Sequence, residues 1–309
     1  MASGSTKAVY AALFGNLGIA ITKFIAAAMT GSASMWAESY HSASDTVNQI
    51  LLLLGIKISK KPATDLHQFG FGKSQFFWSF VVATMIFGIS GILSLEHGFS
   101  SLLGGGHHFE NPTINYIVLA IAFGFESNAL RVALIQFKKP ITERGEKTRP
   151  STLWSEFKNS KDTSILTVVV EDTAALLGIV IAAVGILLTD ITGNTVFDSI
   201  SSIFIGILLM SFAFFLAKEN RGLLIGESIS PEERKQILYT ITAIPEVHKV
   251  VTMKTMHVGP TTIIVGIEVN LVDELDTDKI ETLTDVIEEE IMKILPNTKK
   301  EYIFVELEH

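Results

Sequence analysis

Long apolar stretches alternate with short polar segments over the first two thirds of the chain. The apolar stretches lie near residues 9–30, 34–56, 76–94, 114–137, 165–188 and 196–217. A helix rises about 1.5 Å per residue, so roughly 20 such residues cross the ~30 Å hydrocarbon core of a bilayer. The pattern predicts an α-helical, multi-pass membrane protein with a six-transmembrane-helix bundle over residues 1–220.

The remainder of the chain has the pattern of a small α/β domain. Ser230, Pro231 and Glu233 form a typical helix start, with a capping serine, a proline at the first position and a glutamate at the third. Two β-branched segments follow, joined by Gly259-Pro260, and then a second amphipathic helix and a last strand. The order αββαβ predicts a ferredoxin-like or metallochaperone-like domain over residues 221–306. We interpret residues 307–309 as a tag remnant.

Charge predicts how the chain is oriented in the bilayer. The first, third and fifth connections between the apolar stretches contain no lysine or arginine, whereas the second carries four lysines and the fourth carries both lysines and arginines. The positive-inside rule then places the basic connections and both termini in the cytoplasm. We expect the protein in the inner membrane of the cell. The open sheet of the small domain favours a homodimer.

Composition narrows the chemistry that the chain can support. The chain is 48% hydrophobic, its formal net charge is −8, and it contains no cysteine. Without thiolates, a transition metal can be held only by imidazole, carboxylate or amide groups. The excess of acidic residues argues against a nucleic-acid partner.

The second apolar stretch carries an unusual stripe of polar side chains. These are Glu38, His41, Asp45, Asn48 and Gln49, spaced so that they share one face of a helix. Each charged group would cost about 2.5–3.5 kcal/mol if it faced lipid at the centre of a helix, so we expect the stripe to face the bundle interior. His41 and Asp45, four residues apart, can offer a nitrogen and an oxygen to one ion.

A second polar cluster, Glu171-Asp172, lies in the fifth stretch. Adjacent helical residues diverge by about 100°, so we expect only one of the two to point toward His41 and Asp45. Two carboxylates and an imidazole suit zinc, and they also fit cobalt, iron or manganese. The alternatives are a structural polar network, a metal sensor without transport, and an intramembrane metalloenzyme. The His-Glu-x-x-His spacing typical of many such enzymes is absent from the sequence, and we expect no enzymatic activity.

The residues around His41 resemble a known family. The segment 37–45, with its His41-x-x-x-Asp45 pair, is similar to the second-span signature of the cation diffusion facilitators, and the segment 171–175 resembles their zinc transporter 9-like branch. Residues similar to those of the family occur along most of the chain: Asn16, Lys23, 67–73, Glu96 and Asp198. The resemblance implies that His41, Asp45 and Asp172 bind a transported metal, with zinc expelled in exchange for protons by alternating access.

One position departs from the family pattern. Most zinc-exporting members carry a histidine four residues before the aspartate of span five, and here that position is Val168. The fourth ligand is therefore open between water and four residues: Glu171, Glu38, Glu126 and Asn128. An oxygen-rich site would bind manganese or iron more favourably than a site with two imidazoles does.

We expect His41 to carry the exchanged proton. An unperturbed histidine has a pKa of about 6.5, and only its neutral form binds metal, so binding releases a proton. Other histidines rank lower. We interpret His107 and His108, with Glu110, as a solvated outer loop rather than a weak site that collects or releases metal. For His67 two roles stay open, which are positioning the cytoplasmic turn and guarding the entry for the metal. The family uses the region of His248 and His257 to sense metal, but the last strand here lacks the usual histidine, so we expect no intact sensor site.

Overall fold

The computed structural model describes residues 2–105, 112–143, 145, 147, 149–159 and 163–308. The chain forms two compact units. One consists of Met1–Gly55 and Trp78–Asn220, and the other of Ile56–Phe77 and Arg221–His309. Each unit has its own hydrophobic core.

Long helices form the first unit. Their bounds, including one short amphipathic helix after α5, are α1 Ala2–Thr30, α2 Ala33–Ser59, α3 Ser74–Val81, α4 Gly88–Leu103, α5 Thr113–Glu143, α6 Pro150–Asn159, α7 Thr163–Thr192 and α8 Val196–Ile225. A π-helical segment, Val82–Phe87, joins α3 to α4, so that the two form one continuous helical span.

Five helical stretches of the described residues are long and apolar enough to cross a membrane. They are Leu13–Thr30, Ser74–Leu103, Thr113–Lys139, Ile165–Thr192 and Val196–Ile225. Helix α2 is also long enough to cross a membrane, because its 27 residues extend for about 40 Å. Its polar stripe makes it less apolar than these five stretches. The α-helical membrane fold predicted from the sequence is confirmed, and α2 is its one polar span among the helices described.

Small residues bring α4 and α8 into close contact. A Cβ added at Gly91 would lie 3.1 Å from the Gly206 carbonyl oxygen, and one added at Gly206 would lie 2.8 Å from that of Gly91. The Ser202 hydroxyl on α8 donates to the Ser94 carbonyl oxygen at 2.8 Å. Where lipid is as apolar as the helix surface, such close backbone packing is a main source of helix association.

The second unit contains the predicted αββαβ order. Its elements are α9 Pro231–Thr242, β1 Val247–His257, β2 Ile263–Leu271, α10 Thr277–Ile294 and β3 Ile303–Glu308. The sheet order is β1-β2-β3, with β2 antiparallel to β1 and parallel to β3. Alternate residues of β2, including Val265 and Ile267, are buried in a core shared with Ile287 of α10 and Ile237 of α9. The predicted small α/β domain is confirmed.

The last strand extends beyond the predicted end at Glu306. Leu307 pairs with Val269, and Glu308 pairs with Asn270. The Glu308 carboxylate also lies 3.1 Å from Lys249 Nζ. Leu307 and Glu308, which the sequence analysis set aside, therefore complete the ladder between β2 and β3.

The helix start predicted at Ser230 is present in full. The backbone N–H of Glu233 donates to Ser230 Oγ at 3.2 Å, and the backbone N–H of Ser230 donates to the Glu233 carboxylate at 2.9 Å. This capping box satisfies two backbone donors that the helix itself leaves open.

We predict that Ser230→Ala lowers the free energy of unfolding of the second unit by about 0.5–2 kcal/mol, since it removes the acceptor at the N-cap. Chemical denaturation of the full chain, followed by near-UV circular dichroism, measures this loss. Thr242→Ala, at the exposed end of the same helix, is the control and should change the stability far less. Equal effects of the two substitutions would contradict the assigned role of the cap.

Candidate metal centre

The polar stripe of α2 faces the interior of the helical unit. Glu38, His41 and Asn48 are fully buried, Asp45 is 4% exposed, and Gln49 is partly buried. Their spacing places them along one side of α2, because three- and four-residue steps return to the same helix face. The stripe thus brings two carboxyl groups, an imidazole and an amide into a region from which solvent is excluded.

A buried lysine on α1 is paired with the first residue of this stripe. Lys23 Nζ donates to Glu38 Oε2 at 2.7 Å and to Ser42 Oγ at 2.8 Å. Both charged side chains are completely buried. The other carboxylate oxygen of Glu38 lies against Gly178 of α7, where a Cβ would collide with it. Glu38, a candidate metal ligand from the sequence, is thus engaged by Lys23 in this structure.

His41 and Asp45 lie beside each other one helical turn apart. His41 Nδ1 is 3.2 Å from Asp45 Oδ1. The pair therefore presents nitrogen and oxygen at one place, as the four-residue spacing predicts.

Both acidic residues of α7 are buried near this pair, although helical spacing predicted that only one of them would point there. Glu171 is in hydrogen-bond contact with Asp45, and its carboxylate also accepts a short hydrogen bond from Asn48 Nδ2. Asp172 is 7% exposed and lies close enough to Asp45 to interact with it electrostatically. The expectation of a single inward residue was wrong, because the neighbouring helices cover a wide sector of α7.

Helix α5 contributes one further carboxyl group. Glu126 is 5% exposed and interacts electrostatically with Asp45, Glu171 and Asp172. Asn128, two residues later, is exposed on the opposite side of α5. Asn128 was therefore a wrong candidate for the fourth ligand, since two residues correspond to about 200° around a helix.

The carboxyl groups lie close together, but they do not form a complete metal-coordination site in this structure. Within the described part of the chain, no three His, Asp or Glu side chains are grouped tightly enough to hold one ion. Three individual oxygens, Asp45 Oδ1, Asn48 Oδ1 and Asp172 Oδ2, are buried and accept no hydrogen bond from the described residues. Oxygens of this kind are acceptors that a cation can satisfy. Val168, one turn before Asp172, is partly buried against the hydrophobic core.

A separate polar clamp fixes the beginning of α2. Asp198, the third residue of α8, accepts hydrogen bonds from the backbone N–H groups of Ala33 and Ser34, at 2.5 and 3.2 Å, and from the hydroxyl of Ser32 at 2.8 Å. The Ser34 hydroxyl makes a further, short hydrogen bond to the same carboxylate. A carboxylate at a helix N-terminus satisfies open N–H groups and complements the helix dipole. The clamp ties α8 to the helix that carries the polar stripe.

Sequence reasoning noted Asp198 only as a residue similar to the family and missed this role. Ser32 and Ser34 directly before the stripe were the available signal, because serine is typical of helix starts. The distant partner on α8 could not be read from local sequence.

The remaining histidines do not join a metal group in the described residues. His67 is exposed and its ring packs against Phe71 in a tilted arrangement, with ring centroids 4.4 Å apart. His248 is exposed, and the backbone N–H of the buried His257 donates to the Glu227 carbonyl oxygen. The candidates of the outer loop, His107, His108 and Glu110, lie outside the described residues.

Comparison with known proteins identifies relatives for most of the chain. Residues 9–225 match the cation efflux transmembrane domain. The mitochondrial proton-coupled zinc antiporter SLC30A9 of Mus musculus is 35% identical over 237 residues, which is 77% of this chain and 41% of that protein. Metal tolerance protein C4 of Arabidopsis thaliana is 30% identical over 83% of this chain and 55% of its own length. The chain therefore spans about half the length of these relatives.

More distant relatives include the magnetosome protein MamB of Paramagnetospirillum magneticum, 23% identical over 82% of this chain and 78% of that protein. Among solved structures, the nickel form of a MamM C-terminal domain variant, E289H, matches 26% of this chain and 96% of its own length, with 11% identity and a TM-score of 0.23.

We predict that Asp198→Asn destabilises the first unit, because the clamp loses the charge that its four donors favour. Hydrogen bonds to charged groups contribute about 1.5–3 kcal/mol, so the loss should lower the melting temperature of the detergent-solubilised protein by several degrees. Asp190→Asn, an exposed aspartate at the end of α7, is the control. An unchanged melting temperature for Asp198→Asn would show that the clamp does not stabilise α2.

Proposed function

This chain belongs to the cation efflux family, the cation diffusion facilitators, and on that premise we propose that it moves a divalent transition metal, zinc, across a membrane in exchange for protons. The observation that carries the proposal is an imbalance of buried charge. Among the described residues of this cluster, five carboxyl groups face one lysine. The carboxyl groups belong to Glu38, Asp45, Glu126, Glu171 and Asp172, and the lysine is Lys23.

Such an imbalance cannot persist in a bilayer without positive charge from elsewhere. Ionised carboxylates in hydrocarbon surroundings cost several kcal/mol each unless they are paired or protonated. A divalent cation and protons are the two species that can supply the missing charge. If the site binds either the metal ion or protons, but not both at once, then the metal must leave before protons bind. Such a site can exchange the two across the membrane.

The ligand set that we propose combines α2 with α7. His41, Asp45 and Asp172 would bind the ion, with Glu171 as a further oxygen ligand in contact with Asp45. Glu38 is a weaker candidate, since Lys23 already occupies one of its oxygens. Metal binding would draw the carboxyl groups of the two helices together.

The choice of metal depends on the chemistry of the ligand set. Imidazole and carboxylate ligands suit zinc, and the SLC30A9 relative is named as a zinc antiporter. The oxygen-rich ligand set, with valine at position 168, keeps manganese, iron and cobalt as alternatives. A sensor that binds metal without moving it is the second class of function, and metal flux separates the two.

Proton coupling follows from competition for the same lone pairs. Metal affinity should fall as the pH falls, because protonated imidazole and carboxyl groups are poor ligands. We further propose that both termini face the cytoplasm of the cell, that the metal moves outward from there, and that the chain works as a homodimer in the inner membrane. The basic second and fourth connections support the orientation.

We predict that His41→Ala and Asp45→Ala each reduce zinc uptake at least about tenfold, because losing one ligand costs more than about 1.4 kcal/mol. Uptake is measured in proteoliposomes with an acidic interior, where outward proton flow drives inward metal movement. Dissipating the pH gradient should abolish accumulation by the wild type. Asn128→Ala, on the exposed side of α5, is the control and should transport normally.

Two outcomes would contradict the proposal. Normal uptake by both ligand variants would remove the site from the transport path. Zinc binding without any gradient-dependent uptake by the wild type would favour a sensor.

We predict that Val168→His shifts the preference of the site toward zinc. The new imidazole lies one turn before Asp172 and should raise the zinc-to-manganese uptake ratio about tenfold, because zinc prefers nitrogen ligands more strongly than manganese does. Paired uptake measurements with both metals give the ratio. Val168→Leu adds volume without a ligand and is the matched control; an equal shift in both variants would mean that the residue only affects packing.

A further inference from the structure

The described contacts give Lys23 no role as a ligand, but they place its charge inside the cluster. We propose that Lys23 is an affinity-setting residue: a permanent internal cation, balanced by Glu38, whose charge limits how tightly the neighbouring site holds its metal. This inference rests on the proposed function. It concerns the strength of binding, which the family assignment leaves open.

The burial of Lys23 is the first argument. Lysine is almost never fully buried unless it is paired, and here it is 0% exposed on a membrane helix. The side chain stays inside the helical unit, although the ammonium groups of lysines commonly extend to water. Its ammonium is held by Glu38 Oε2 at 2.7 Å and by Ser42 Oγ at 2.8 Å.

The second argument is the position of the pair relative to the candidate ligands. Ser42 follows His41 directly, and Glu38 precedes it by one turn. Lys23 interacts electrostatically with His41, Asp45 and Glu126. A positive charge at this place opposes a bound divalent cation, and the adjacent Glu38 carboxylate offsets most of that opposition.

The third argument is that the pair is fixed in place. One Glu38 oxygen contacts Lys23, and the other is packed against α7 at Gly178, where a side chain would displace it. The positions of the Lys23 and Glu38 charges are therefore fixed by α1, α2 and α7 together. A carrier must bind its ion firmly enough to load it and weakly enough to release it, and an internal cation of fixed position provides a means of setting that balance.

The test is a double-substitution cycle on the purified full-length protein in detergent. Lys23→Met and Glu38→Gln each remove one charge with little change in shape, and the double variant removes both. Zinc ion alone is titrated, with competition against a chromophoric chelator as the readout. Thermal melting of each variant shows whether it is folded.

The expected changes have opposite signs. Glu38→Gln leaves the lysine unbalanced and should weaken zinc binding about tenfold or more, a change that one nearby charge can readily produce. Lys23→Met leaves an unbalanced carboxylate and should tighten binding about threefold or more, by the same electrostatic effect. The double variant should bind within about threefold of the wild type, since a buried ion pair can be replaced by neutral groups at small cost.

A purely structural pair would give a different pattern. In that case both single variants would weaken binding and the double variant would not recover it, which would overturn the proposal, as would three unchanged affinities. If Glu38→Gln does not fold, Lys23→Met and the double variant decide between the same two patterns. Asp190→Asn, which removes an exposed carboxylate at the end of α7, should leave the zinc affinity unchanged. A shift as large as those of the test variants would mean that affinity follows any loss of charge, and would also overturn the proposal.

His41→Ala keeps this inference separate from the proposed function. Loss of zinc binding in His41→Ala together with unchanged affinity in the Lys23 and Glu38 variants would reject the role of Lys23 alone. Unchanged zinc binding in His41→Ala would reject the transport site itself.

Discussion

The cost of burying charge in hydrocarbon is the constraint on which the rest of this structure depends. A helix made of apolar residues is stable in lipid without further help, but a helix with Glu38, His41 and Asp45 on one side is stable only if other helices cover that side. Helices α1, α5 and α7 contribute Lys23, Glu126 and the Glu171-Asp172 pair to the same region. Lys23 offsets part of this cost through its contact with Glu38, whereas the carboxyl groups repel one another when they are ionised. The remaining excess of carboxyl groups is what a cation can neutralise.

The packing of the first unit serves this arrangement. Asp198 fixes the start of α2 by accepting four hydrogen bonds, and glycines at the contact of α4 with α8 allow those helices to approach closely. Gly178 leaves room on α7 for the Glu38 carboxylate. These contacts would hold the polar side chains in place while leaving the carboxyl groups of α2 and α7 free to gather around an ion. The second unit is an ordinary α/β sandwich with its own core, and its described histidines form no metal group.

Helical periodicity made much of this predictable from the sequence. The burial of Glu38, His41, Asp45 and Asn48 follows from steps of three and four residues and from the cost of facing lipid. The capping box at Ser230 followed from local pattern in the same way. Contacts between distant residues could not be read so directly. Helix packing determines three of these contacts: the pairing of Lys23 with Glu38, the Asp198 clamp, and the burial of both Glu171 and Asp172. Asn128 was wrongly predicted as a ligand, because a position two residues after Glu126 lies on the other side of the helix.

We propose that the transported metal ion binds between α2 and α7. Anomalous scattering from crystals soaked with zinc, and separately with manganese, tests it most directly, because data collected at each absorption edge give both the element and its position. We expect a peak for zinc within bonding distance, about 2.0–2.2 Å, of His41 and of carboxylate oxygens from Asp45 and Asp172. Strong zinc peaks elsewhere in the protein with none between these two helices would contradict it.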